Sequence, residues 1–250
     1  PDAKINKKML TRFNWSISPY YKLHLFDPDK PVYYDIGPKL YTEYYIKPGL
    51  VINSNIEASL FTTFDEIFRG TKGNLPHVRT DLKNYLNETR VRIKDLKISS
   101  YYKASQNIYG RIDLGYLESM YAGISSELLY SPTNAKFSAG FELNYLKPRE
   151  YRQVLGLREI PGMANLNGHV SGYWDTDFYD YLVQVDIGKY LANDNGGSFT
   201  LTRNFRNGWR VGGFFTITDA SRNDFGEGSF DKGFFINIPL KPLIPSETQN

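Results

Sequence analysis

The stretch WRVGGFFTITDASRNDFGEGSFDKGFFINIPL, Trp209 to Leu240, decides how the rest of the chain is read. Trp209, Val211, Gly213, Phe215 and Ile217 alternate with Arg210, Gly212, Thr216 and Thr218; Phe234, Ile236, Ile238 and Leu240 alternate with Gly233 and Asn237. Apolar residues at every second position share one face of an extended strand, so the two arms form a hairpin with one apolar and one polar face. The connection from Asp224 to Lys232 is polar, glycine-rich and longer than a hairpin turn requires. Gly226, Gly228, Ser229 and Gly233 open backbone conformations closed to bulkier residues. Asp224, Glu227, Asp231 and Lys232 can bind one another and arginines such as Arg210 or Arg222, or they can contact saccharide hydroxyls and a partner protein. Charge-assisted hydrogen bonds within the loop explain the residue types without a ligand, so a structural role is expected ahead of a contact role.

The same period runs back through the chain. Phe13, Trp15, Ile17, Tyr21, Leu23 and Leu25 mark a first strand; Tyr34, Ile36, Leu40, Tyr44 and Ile46 a second; Leu50, Ile52, Ile56 and Ala58 a third. Alternation returns around Leu96 and Ile98, Ile112 and Leu114, Ile124 and Leu128, Phe141 and Leu143, Val170 and Trp174, Val183 and Val185, and Phe199 and Leu201. Turn residues punctuate it, most plainly Lys47-Pro48-Gly49 and Arg206-Asn207-Gly208. Two long segments interrupt it. From Asp65 to Glu88, Thr80 is placed to cap a short helix with Leu82, Tyr85 and Leu86 on one side, and this helix is expected to pack on or into the sheet. Pro148 to Leu166, rich in arginine and glutamate, reads as a loop.

Together these signals predict an all-β fold, an antiparallel up-and-down transmembrane β-barrel of about twelve strands. It forms a single domain over residues 1–250, with a polar lead-in over 1–10 and a tail over 241–250. A β-sandwich shares the alternation, but many strands here reach the length of about 9–11 residues that a tilted membrane strand needs. The pairs Tyr20-Tyr21, Tyr33-Tyr34, Tyr44-Tyr45 and Tyr101-Tyr102 are expected at strand ends, as interfacial girdles. No run approaches the roughly 18 apolar residues of a membrane-spanning helix. The chain has no cysteine, so disulfides and thiolate metal sites are excluded. A net charge of +3 spread along the chain gives no reason to expect nucleic acid.

The chemistry-bearing residues are sparse. His24, His77 and His169 lack metal-ligand spacing, and neither Asp175 to Asp180 nor the Asn193 to Gly197 turn has the oxygen spacing of a calcium loop. No nucleophile elbow, phosphate-binding glycine loop or paired-histidine zinc motif occurs, and no cofactor is expected. Arg111, Asp113, Glu127, Glu142, Asp186, Arg203 and Arg210 are read as a wet face lining a lumen. A glycosidase would need two of these carboxylates close together across a bound sugar, which spacing along the chain does not establish.

LPHVRTDLKNYL (Leu75 to Leu86), GYLESMYAGISSELLY (Gly115 to Tyr130), REYRQVLGLR (Arg149 to Arg158), GKYLANDNGG (Gly188 to Gly197) and DFGEGSFDKGF (Asp224 to Phe234) give the chain its family resemblance. From about Pro19 to Leu240 it resembles the YjbH family of Gram-negative outer-membrane proteins linked to exopolysaccharide and capsule production. The resemblance implies an outer-membrane barrel that meets polysaccharide and the lipid bilayer, encoded beside a lipoprotein and periplasmic partners of a secretion system. It implies no catalytic mechanism. Family members are longer, so the chain is expected to be their C-terminal portion, with closure of the barrel depending on further sequence. Two other functions fit the residues: a carbohydrate-active enzyme on a β scaffold, and a structural anchor of a secretion complex.

Overall fold

Period-two alternation produces a single antiparallel sheet, in which each long strand pairs with the long strands next to it along the chain. A computed structural model describes residues 12–25, 30–66, 75–79, 81–221 and 230–238. The strands are β1 (Phe13–Leu25), β2 (Val32–Lys47), β3 (Leu50–Ala58), β4 (Phe61–Thr62), β5 (Val91–Ser105), β6 (Ile108–Tyr116) and β7 (Tyr121–Tyr130). They continue with β8 (Phe137–Pro148), β9 (Leu166–Asp175), β10 (Tyr181–Lys189), β11 (Asn195–Asn204), β12 (Arg210–Thr218) and β13 (Asp231–Asn237). Twelve of these follow one another across the sheet, and the two-residue β4 pairs with β2 beyond the end of β3. The sequence predicts about twelve strands; β4 is too short to show a period. Among the described residues no pairing joins β1 to β13, so the sheet is open there.

The strands place short turns at one end, such as residues 48–49, 106–107 and 205–209. The long connections over residues 59–90, 149–165 and 219–230 lie at the other. One face of the sheet carries exposed large apolar side chains strand after strand, among them Ile17, Leu114, Phe141, Leu143, Val185, Val211 and Ile236. The other face is concave and polar. It is filled near the long-loop end by a helix, α1 (Leu82–Asn87), a 3-10 turn over Phe64–Glu66, and the segment after β8. Tyr85, Met120, Tyr121 and Leu146 pack together there, with Val78, Leu117 and Tyr151 against them, while Tyr33, Phe64 and Leu86 form a second cluster. The helix thus packs inside the sheet, as its apolar residues predict. Its N-cap is Asp81, without a side-chain cap bond, and not Thr80, which lies outside the described residues.

The tyrosine pairs divide differently from the expected girdle. Tyr44, Tyr45, Tyr101 and Tyr102 are exposed towards the short-turn end, but Tyr20 and Tyr33 are buried on the concave face. Alternation sends the two members of any adjacent pair to opposite faces, and the polar interior binds the inward hydroxyl of Tyr20.

Close strand approach makes one glycine indispensable. Gly123 has φ +149°, and a Cβ built there would lie 2.0 Å from the Tyr145 carbonyl oxygen on β8. Gly123→Ala should therefore cost about 1–3 kcal/mol, through backbone strain and forced separation of β7 from β8. Thermal unfolding of the purified protein in detergent checks this; an unchanged midpoint would show that the two strands can part without loss.

Candidate functional site

The concave face of the sheet encloses a cavity of about 780 Å³, with walls from β5 round to β13 and a rim from residues 75–79. Strand parity explains the lining. Arg111 and Asp113 on β6, Ser125 on β7, Glu142 and Asn144 on β8, and Asn167 and His169 on β9 occupy alternate positions opposite the outward apolar residues. Arg111 bridges Glu127 at 2.7 Å and Asp113 at 3.3 Å, and Lys97 lies 3.7 Å from Asp113. Asn144 donates to Glu142 at 2.6 Å. Further along, Ser171 and Gln184 both donate to Asp186, at 2.6 and 2.9 Å. The His169 ring meets the Tyr190 ring edge to face, with centroids 4.6 Å apart.

Beside the cavity, two buried arginines tie the interior elements to the sheet. Arg92 on β5 bonds Asp35 on β2 at 2.5 Å, the Tyr20 hydroxyl at 2.9 Å and the Leu86 carbonyl of α1 at 3.1 Å. Tyr20 and Ser59 donate to the same carboxylate, and Arg92 and Asp35 are both essentially inaccessible. Arg149, just past β8, donates to the carbonyls of Lys94, Glu118, Gln153 and Val154 at 2.7–3.3 Å, and its guanidinium stacks 4.7 Å from the Tyr116 ring. The helix is held from the other side: Tyr85 donates to the Arg149 carbonyl, and Gln153 donates to the Tyr85 carbonyl. Burial pushes the Tyr85 hydroxyl pKa up and the Arg149 guanidinium pKa down. Three of the stretches that carry the resemblance, Leu75 to Leu86, Gly115 to Tyr130 and Arg149 to Arg158, thus meet in one interior assembly.

Six of the seven residues read as lumenal, Arg111, Asp113, Glu127, Glu142, Asp186 and Arg210, occupy the concave face. Arg203 does not. It is in register with Tyr181 and Val211 on the outward face. Its guanidinium lies over the rings of Tyr179, Tyr181 and Phe205, at 4.6–5.8 Å. Its odd position, shared with Phe199 and Leu201, carries that information; its charge suggested the wrong face. Asp231 and Lys232 belong to β13 and not to a loop, and Lys232 is in register with outward Phe215. Asp224, Gly226, Glu227, Gly228 and Ser229 lie outside the described residues. Tyr190 and Asp194, in the turn after β10, were not singled out by spacing, and no periodic signal reaches them. Among the described residues no three His, Asp or Glu side chains are placed to hold a metal ion.

Residues 2–250 match the model of the family YjbH, described as exopolysaccharide biosynthesis protein YbjH. Over 245 residues the chain is 30% identical to a protein of Escherichia coli (strain K12) named uncharacterized lipoprotein YjbH. That alignment covers 96% of this chain and 35% of the relative, so the chain spans about a third of the relative's length. Among solved structures it is similar to OmpT, an outer-membrane protein of Vibrio cholerae, at 10% identity and a TM-score of 0.25, over 88% of this chain and 93% of that one.

Proposed function

Because the chain belongs to the YjbH family of exopolysaccharide biosynthesis proteins, we propose that it forms part of an outer-membrane β-barrel that handles exopolysaccharide or capsule during secretion, without catalysing a reaction. One observation carries this reading: the two faces of the sheet have opposite chemistry. The outward face is exposed and largely apolar in most of the long strands, which suits hydrocarbon, while the concave face is a polar wall around a cavity. Short turns at one end and long connections at the other match the periplasmic and extracellular ends of such barrels. The relative's name, lipoprotein, agrees with a membrane association. Of the inward carboxylates, Glu127 is paired with Arg111 and Glu142 accepts from Asn144, as in a structural polar wall. Deleting the gene and assaying surface polysaccharide and membrane fractions tests the reading; unchanged polysaccharide would refute it.

The faces themselves are testable. Val185→Arg, at the centre of the outward face of β10, should cost roughly 2–4 kcal/mol in a bilayer. Gln184→Arg, on the concave side, should cost far less. Equal losses in folding assays into lipid vesicles would show that the outward face does not meet hydrocarbon.

A further inference from the structure

We infer that the interior cavity is a saccharide subsite selective for uncharged or amine-bearing sugars over uronate-bearing ones, an inference that rests on the exopolysaccharide reading above. Four buried polar atoms in its wall have no hydrogen-bond partner among the described residues: Asp113 Oδ1, His169 Nε2, Tyr190 OH and Asp194 Oδ1. Asp113 is only 3% exposed. A buried polar atom left unpaired costs about 1–3 kcal/mol, so a polar ligand that bonds these wall atoms recovers that cost. The cavity's size falls within the roughly 300–1,000 Å³ of small-ligand sites and suits a short oligosaccharide.

The charges select the ligand. Each cation of the wall is already committed: Arg79 to Glu118, Lys97 to Asp113, and Arg111 to Asp113 and Glu127. Glu142, Asp194 and Asp231 have no ion-pair partner among the described residues. The wall therefore presents surplus acceptors and negative potential, which favour hydroxyl and ammonium donors and repel a carboxylate. Burial pushes the Tyr190 hydroxyl pKa up, so it remains a neutral donor and acceptor.

Titrating the full chain in detergent micelles with maltotriose, chitotriose and trigalacturonate, followed by isothermal calorimetry, tests this. Maltotriose and chitotriose should bind, and trigalacturonate at least about ten-fold more weakly. Glu142→Gln should reduce the preference for chitotriose over maltotriose. Tyr190→Phe, which keeps the ring against His169, should weaken all binding about three-fold or more while leaving thermal unfolding unchanged. Trigalacturonate binding as tightly as maltotriose, or no trisaccharide binding at all, overturns the subsite. Either result is separable from the secretion reading, which stands or falls on the deletion phenotype.

Discussion

Arg149→Ala should release α1 and the segment after β8 from the interior, at a cost of about 3–5 kcal/mol. The estimate follows from what the guanidinium does. It donates to four carbonyls in a mostly buried site, and each acceptor left unpaired away from water costs about 1–3 kcal/mol. Removing the buried charge offsets part of that loss, and the void left by a large side chain adds to it. Arg149→Met, which fills the space but donates nothing, should recover only the packing share. Subtilisin digestion of folded protein in detergent reads the effect directly: cleavage within residues 75–90 and 149–165 should accelerate strongly while the strands stay protected. Cleavage as slow as in the native chain would mean that the apolar cluster around Tyr85 and Tyr121 holds these segments unaided.

Asp35→Ala should be comparably severe, about 3–5 kcal/mol, for a different reason. It leaves Arg92 charged and buried with no counter-ion, and breaking one side of a buried pair is costly even where the pair itself adds little. It also strands the donors of Tyr20 and Ser59. Replacing both members, as Asp35→Leu with Arg92→Met, should recover most of the loss, because no unpaired charge remains. A double-mutant cycle on urea midpoints isolates the coupling. A loss below about 1 kcal/mol for Asp35→Ala alone would show that water reaches Arg92 and that the network is not sealed.

The two arginine networks give the interior its order from opposite sides. Arg92 joins β1, β2, β5 and Leu86 of α1, and Arg149 joins β5, the β6–β7 connection, Tyr85 of α1 and the loop after β8. Between them the helix is fixed close to the cavity, whose rim at residues 75–79 leads directly into it. The same assembly that stabilises the fold therefore bounds the space in which a sugar chain is proposed to sit.

Strand by strand, local alternation is enough to say which side chains share a face. Phe141 and Leu143 stand opposite Glu142 and Asn144 because the pleat alternates residue by residue, and that rule is local. It held for the two described arms of the hairpin, β12 and β13, and for the inward carboxylates. It also placed Arg203 outward, where judging by charge alone put it on the wrong side. Turn chemistry and strand length together delivered the up-and-down order, since short turns force neighbours to pair. Which inward residues meet depends on long-range packing. Asp35 and Arg92 are separated by 57 residues and Tyr85 and Arg149 by 64; their contact depends on the accumulated register of several hairpins and on the curl of the sheet. The fold of the segment after β8 was equally out of reach. Arg149 and Gln153 look like surface residues in a polar loop, and they become core because α1, the β6–β7 connection and the folded segment itself present carbonyls to them inside the curved sheet.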